Sequence, residues 1–321
     1  MKARARSLLT TLILLAAAAV ALLAGWFGIA RRDESKEARR SADARLLPFE
    51  PRDVTGVTVT AKGEVTRIVR SGEGWRIESP VRAAADQAVV DSLIDRVATL
   101  RRTAAVPSDP SGASRYGLAK PHSTVALALK DGKTASLALG DENSFDGTIF
   151  ATTGASDVAL VPGDVKWTIE RTTFELRDKS VLHLDQEAVK TLRIRRPPLE
   201  FEVRRETAPG RLSSYLWALA GLRAKAFVDE TGKQEADLGL GHPALVLTLL
   251  GKDGGQLGRL AASAPRGGVR YVQASGEPRI AEIDASALDA LPKTPAEAEE
   301  KPAPQPSTPS TSSGSGATGA K

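Results

Sequence analysis

The sequence predicts an α+β protein: an N-terminal transmembrane helix followed by two repeated domains, each an antiparallel sheet with a helix. Three observations predict it. Ser7 to Ala30 runs for twenty-four residues without a charge. A Gly-Leu-x-x-Pro block at Gly117 recurs at Gly239, with the apolar segments and turn that follow it. Those segments are apolar runs, an alternating strand pair precedes each helix, and the strands are joined by turns too short for a crossover, so neighbouring strands pair antiparallel.

Residues 1–6 carry Lys2, Arg4 and Arg6 and are read as a cytoplasmic N-terminus. Residues 7–30 follow as the membrane span. At a rise of about 1.5 Å per residue, such a helix reaches roughly 36 Å and crosses a hydrocarbon core of about 30 Å with some tilt. Trp26 falls at its outer end, where an interfacial aromatic anchors a span. Gly28 and Ala30 form a small-x-small pair before Arg31, which leaves signal-peptide cleavage as the alternative. The apolar run exceeds the roughly 7 to 15 residues of a signal peptide, so an uncleaved anchor is expected. The short cationic leader orients the N-terminus inside and the body outside. Residues 31–45, RRDESKEARRSADAR, have no apolar stripe and read as a charged spacer.

The body is duplicated. Gly117, Pro121 and Asp131-Gly132 are repeated by Gly239, Pro243 and Asp253-Gly254 at a constant offset of 122. The first copy, placed at 46–173, opens with a strand pair on Val54, Val57, Val59 and Ile68 and a further strand Trp75-Arg76-Ile77-Glu78. Asp86 then caps a helix on Val89, Val90, Leu93, Ile94, Val97 and Leu100. The hairpin STVALALKDGKTASLALG, two strands at Thr148 to Thr152 and Val158 to Val161, and a short helix near Val165 to Glu170 complete it.

The second copy, placed at 174–291, repeats this order. It has a strand pair on Val189, Leu192, Ile194, Phe201 and Val203, a helix from Leu212 to Arg223, and the hairpin ALVLTLLGKDGGQLGRLA. Val269 to Gln273, Ile280 to Ile283 and Ser286 to Leu291 end it. Val54 to Val189 is an offset of 135, so thirteen residues are missing before the second helix, matching the Ser71 to Gly74 turn and the Trp75 strand. The second sheet is therefore expected to be one strand narrower. Residues 292–321, rich in Pro, Ser, Thr and Gly, cannot offset their own ordering entropy and read as a disordered tail.

The motif order Arg45-Leu46-Leu47-Pro48-Phe49, Asp53-Val54-Thr55, Gly74-Trp75-Arg76-Ile77, Pro80, Ala85-Asp86, Tyr116-Gly117-Leu118 with Pro121, and Leu139-Gly140-Asp141 resembles the bacterial family of domain of unknown function 4340 (DUF 4340). Arg177-Asp178-Lys179 resembles the joint where the family's second half begins. The second half departs from the pattern: its Gly-Trp strand is absent, and His183-Leu184 stands where a Pro-Phe pair is expected. The resemblance implies a single-span accessory protein associated with gliding-motility-type ABC transporters, with partners among transporter subunits or other envelope proteins. It implies a bacterial inner-membrane location with a periplasmic or extracellular body, and it supplies no catalytic residues.

Local chemistry signatures are sparse. Cysteine is absent, which removes thiolate catalysis and cysteine metal sites. His122, His183 and His242 are scattered without a zinc spacing; His183-Leu184-Asp185 reads as surface loop. Asp141 to Gly147 resembles a calcium loop only faintly, since Asp146 holds the position of the EF-hand glycine, and a polar hairpin turn is expected. The folded part has no serine elbow and no nucleotide-phosphate motif, so no catalytic, cofactor or metal residue is assigned. The net charge of +5 and pI near 9.4 come from dispersed arginines not interleaved with aromatics, which disfavours nucleic acid.

One recognition surface stands out. Arg193, Arg195, Arg196, Arg204 and Arg205 crowd the hairpin that opens the second copy, with Arg193 and Arg195 opposite Leu192 and Ile194. They form a candidate stripe for an anionic partner or lipid headgroups, with an exposed strand face as the plainer alternative. Trp75 and Trp167 sit in apolar-periodic elements and are expected to pack in the core. Two readings of function stay open: a non-catalytic, membrane-anchored scaffold, which is preferred, and an exported envelope enzyme or glycan-binding module.

Overall fold

Val57, Val59 and Ala61 alternate with Thr58 and Thr60, and the period-two rule turns the three apolar side chains to one face, where each is buried. This strand, β1 (Val54–Ala61), lies inside the first of two sheets. The computed structural model describes residues 45–72, 74–106, 112–154, 157–228, 238–277 and 279–299. The expected cytoplasmic leader, the span at 7–30, residues 31–44 of the spacer and residues 300–321 of the tail lie outside them. Among the described residues no helix is long and apolar enough to cross a membrane.

The chain divides into two units between Asp178 and Lys179. The first has strands β1, β2 (Glu64–Ser71), β3 (Gly74–Ser79), β4 (Ala83–Ala84), β5 (Ala104–Ala105), β6 (Ser123–Leu129), β7 (Thr134–Glu142), β8 (Ile149–Thr152) and β9 (Val158–Val161). Its helices are α1 (Gln87–Thr99), α2 (Gly112–Arg115), α3 (Val165–Ile169) and α4 (Thr173–Leu176). The nine strands run in the order β4-β3-β2-β1-β6-β7-β8-β9-β5, every pairing antiparallel.

Helix α1 begins where expected. The Asp86 carboxylate accepts the Val89 N–H at 3.2 Å, satisfying one orphan amide of the first turn. Val90, Leu93, Ile94 and Val97 form its buried stripe, and Leu100 follows as a fully buried cap. The unit ends in α4, whose capping box pairs Thr172 with Glu175. Thr173 and Leu176 are buried here, so the first unit extends five residues past the boundary expected at residue 173.

The second unit has β10 (Thr191–Arg196), β11 (Leu199–Arg204), α5 (Pro209–Ala220), β12 (Ala226–Phe227), β13 (Leu245–Leu250), β14 (Gln256–Ala262), β15 (Val269–Ala274), β16 (Ile280–Asp284) and α6 (Pro295–Ala298). Its sheet runs β11-β10-β13-β14-β15-β16-β12. Removing β4 and β3 from the first sheet leaves the same order, strand for strand. The registers agree as well: Val57 faces Leu127 and Val59 faces Val125, while Leu192 faces Leu249 and Ile194 faces Leu247. Each sheet is thus one duplicated unit in which the chain, after its helix, places a two-residue strand at the far edge.

The second sheet is two strands narrower than the first. The expectation of one fails because β4 pairs only with β3, so losing the Trp75 strand removes the template for both. A second difference follows the hairpin turn, which is conserved in geometry between the copies. Between Leu249↔Gly258 and Leu250↔Gln256 the register slips by one residue, and Leu257, the extra residue, is left exposed.

Residues 292–299, assigned to the tail by composition, are ordered. Thr294 accepts the Glu297 N–H at the start of α6, Ala298 is buried, and the Tyr215 hydroxyl donates to the Glu297 carbonyl at 3.2 Å. These capping and tertiary contacts compensate for the low apolar content that the composition argument relied on.

Candidate functional site

The two-residue turn Pro197-Pro198 fixes the β10–β11 register, placing Arg193 opposite Glu202, Arg195 opposite Glu200 and Thr191 opposite Arg204. Leu192 and Ile194 are fully buried, so the facing set points away from the core. Glu202 lies between two guanidinium groups. Arg193 donates to its Oε1 at 2.9 Å, and Arg204 donates to its Oε2 from Nε at 2.9 Å and Nη2 at 2.7 Å. The hydrogen bonds from Arg204 and then Arg193 hold the Glu202 carboxyl below its usual range, against the opposing effect of burial.

The five candidate arginines therefore divide. Arg193 and Arg204 share one carboxylate. Arg205 turns back along the chain, donating to the carbonyls of Val189 at 3.0 Å and Gln186 at 2.7 Å. Arg195 is exposed, and among the described residues it has no ion-pair partner. Arg196 belongs to the opposite face by its parity with Leu192 and Ile194, and its Nε donates to the Pro292 carbonyl at 3.3 Å. Burial lowers the Arg196 pKa, the positive charge of Arg270 adds to that, and Asp289 and Glu297 oppose it. The stripe is thus an alternation of arginine and glutamate with one member turned away. The acids were readable at Glu200 and Glu202 once the turn fixed the register.

Beside this face lies an open cleft of about 550 Å³, where Arg193, Arg204 and Arg205 meet Lys190, Lys252 and Glu202. Lys190 precedes β10, and its ammonium bonds the Glu187 carbonyl at 2.8 Å. Lys252 sits on the β13–β14 turn, where the Gly251 N–H donates to the Gly255 carbonyl at 2.9 Å and the Gly254 N–H to the Gly251 carbonyl at 3.2 Å. Sequence reading missed both lysines because they lie outside the arginine-rich segment; only the hairpin pairing brings the turn alongside β10.

The first unit also has a cleft at its β6–β7 turn, of about 590 Å³, but its charges close on themselves. Arg45 pairs with Glu50 at 3.6 Å, Lys130 with Asp53 at 3.7 Å, and Asp131 with Lys133 at 2.8 Å. His122 and Asp141 form an exposed pair, Nε2 to Oδ1 at 2.9 Å, while His183 and His242 are exposed in separate loops of the second unit. In the Asp141 to Gly147 segment, Asp146 Oδ1 accepts from Thr148 N–H, Thr148 hydroxyl and the Asn143 amide at 2.7 to 3.0 Å. That carboxylate is engaged in closing the turn between β7 and β8.

Trp75 packs as expected, 3% exposed, with its indole N–H donating to Asp91 Oδ1 at 2.8 Å and Arg70 stacked 4.4 Å from the ring centroid. Trp167 does not; it is 75% exposed. In the five-residue α3 the buried pair is Val165 and Ile169, four apart, which leaves the intervening position pointing outward.

The model of the family described as Domain of unknown function (DUF4340) matches residues 75–211 and 207–303. No curated protein and no solved structure matches the chain.

Proposed function

The chain belongs to the DUF4340 family, and from that premise we propose that it is a membrane-anchored, non-catalytic accessory protein whose duplicated body organises an envelope transport complex through protein contacts. The uncharged stretch from Ser7 to Ala30 carries this reading: followed by a charged spacer and two folded units, it describes a leash and a body rather than a freely diffusing protein. The N-terminus is cytoplasmic, the helix single-pass in a bacterial inner membrane, and the body periplasmic or extracellular. Partners are ABC-transporter subunits or other envelope proteins, with lipid around the helix. Two sheets that share a seven-strand order give two related surfaces on one chain, suited to holding more than one neighbour. Affinity purification of the intact chain from detergent-solubilised membranes tests this. Transporter subunits recovered in stoichiometric amounts support it, whereas no membrane partner together with activity of the body on an envelope substrate sinks it.

A further inference from the structure

The two copies supply an internal comparison for the cleft in the second unit. On the outward face of the first copy, the register pairs Gly56 with Val69, Thr58 with Arg67 and Thr60 with Val65. In the second copy the same positions hold Thr191 with Arg204, Arg193 with Glu202 and Arg195 with Glu200. The arginines at 193 and 204 thus replace Thr58 and Val69, and they belong to the copy that lacks β3 and β4 beside this strand pair. The duplicated fold does not require them, since the first sheet forms without them.

The charge balance is equally asymmetric. The first unit's cleft sets Arg45 and Lys130 against Glu50, Asp53 and Asp131, and the ion pairs described above close it. The second unit's cleft sets five cations, Lys190, Arg193, Arg204, Arg205 and Lys252, against Glu202 and Glu206. Glu202 satisfies one charge and orients two guanidinium groups by taking one on each oxygen, and Glu200, 3.8 Å from the Arg193 Nε, offsets a second, which leaves cations in excess of the acids around the cleft. Lys190 and Arg205 bond carbonyl oxygens, neutral acceptors that hold the side chains without cancelling their charge. Among the described residues Lys252 has no ion-pair partner. The result is fixed positive charge around a concavity, with guanidinium planes suited to paired oxygen acceptors. A volume of about 550 Å³ lies within the roughly 300 to 1,000 Å³ of small-molecule sites.

We propose that this cleft binds a phosphate-bearing ligand, with Arg193 and Arg204, oriented by Glu202, and Lys252 of the facing turn as its principal contacts. A phosphate group brings several acceptor oxygens and up to two negative charges, which matches the surplus of cations better than a single carboxylate does. The ligand's phosphate belongs either to a soluble compound or to a lipid headgroup. The proposal concerns the folded body and stands whether or not the chain serves a transporter.

The test uses the full chain in a neutral detergent. Inorganic pyrophosphate is titrated by calorimetry in one arm, and phosphatidylglycerol is doped into the micelles in the other, with phosphatidylcholine as control. Binding of pyrophosphate identifies a soluble phosphate ligand, and a response to phosphatidylglycerol alone identifies a headgroup. In either arm Lys252→Glu weakens binding at least tenfold, Arg204→Gln weakens it similarly, and Lys130→Glu at the first unit's equivalent turn leaves it unchanged. Lys252 is exposed on a turn, so its variant keeps the fold even where Arg204→Gln proves unstable, and circular dichroism verifies that. The proposal is overturned if neither probe binds, or if Lys252→Glu and Lys130→Glu bind as the unaltered chain does.

Discussion

Gly117 and Gly239 stand 122 residues apart and hold the same left-handed backbone, at φ of 70° and 72°. Each ends the segment that leads into the central hairpin of its sheet. A side chain at either site meets the steric cost of a positive φ, about 1 to 2 kcal/mol. At Gly239 the new Cβ would lie 3.6 Å from the Ser263 Cβ, an ordinary contact, whereas at Gly117 it would lie 2.5 Å from Asp141 Oδ1. Gly117→Ala therefore also displaces the carboxylate that pairs with His122. Unit-resolved hydrogen exchange should show a loss of about 1 kcal/mol in the second unit for Gly239→Ala and a larger loss in the first for Gly117→Ala.

Gly140, inside β7, and Ser263, the residue after β14, take equivalent places in the register of the two copies, and only the second has room for a side chain. A Cβ at Gly140 would fall 2.1 Å from the Tyr116 carbonyl oxygen, which accepts the Asp141 N–H at 2.9 Å. The clash is with backbone, so no rotamer change relieves it. Gly140→Ala is expected to cost about 3 kcal/mol, seen as accelerated exchange through β7 and β8 and unaltered exchange in the second unit.

The tryptophans separate cleanly. Trp75→Ala empties a buried site and removes the indole donor to the exposed Asp91 carboxylate, for a loss of about 3 to 5 kcal/mol in the first unit that comes from the emptied ring site. Trp167→Ala and Trp217→Ala, each removing a ring that is 75% exposed, should change stability by no more than about 0.5 kcal/mol. Chemical denaturation followed by near-ultraviolet dichroism distinguishes them.

Acid sensitivity should map to two glutamates. Burial raises the Glu175 pKa, but hydrogen bonds from Thr172 and the charge and hydrogen bond of Lys62, at 3.3 Å, outweigh it and leave it lowered. Glu202 is lowered by Arg204 and Arg193. In both cases the folded pKa lies below the unfolded one. The stabilisation is therefore fully present above the ordinary glutamate value of about 4.3 and is lost as pH falls through the folded value. Both side chains are partly exposed, so each contribution stays under about 1 kcal/mol. Glu175→Gln should flatten the acid-side loss of stability in the first unit alone, and Glu202→Gln in the second alone, by unfolding measured from pH 3 to 7.

Much of the fold was legible because duplication tests each assignment twice. Spacing located both strand pairs, both helices and both hairpins, and the Asp86 cap followed from residue type alone. Most of what escaped comes from contacts between segments distant in sequence, and Trp167 from the shortness of its helix. The edge strands β5 and β12 are two residues each and exist only because β9 and β16 offer them a partner. Trp167 looked like core because its helix is apolar, yet five residues provide one buried stripe. Residues 292–299 looked disordered because composition does not register a tyrosine 82 positions away. At the arginine face, counting cations found Arg193 and Arg204, but their shared carboxylate and the lysines at 190 and 252 needed the register and the turn.

The proposed role requires residues 7–30 to tether the two units to a bilayer. Membranes from cells making the intact chain should be washed at alkaline pH and the chain followed by immunoblot, beside a variant that begins at Arg31. The account predicts that the intact chain stays with the membrane pellet at full length while the variant is released; an intact chain processed near Arg31 and recovered wholly in the soluble fraction would contradict it.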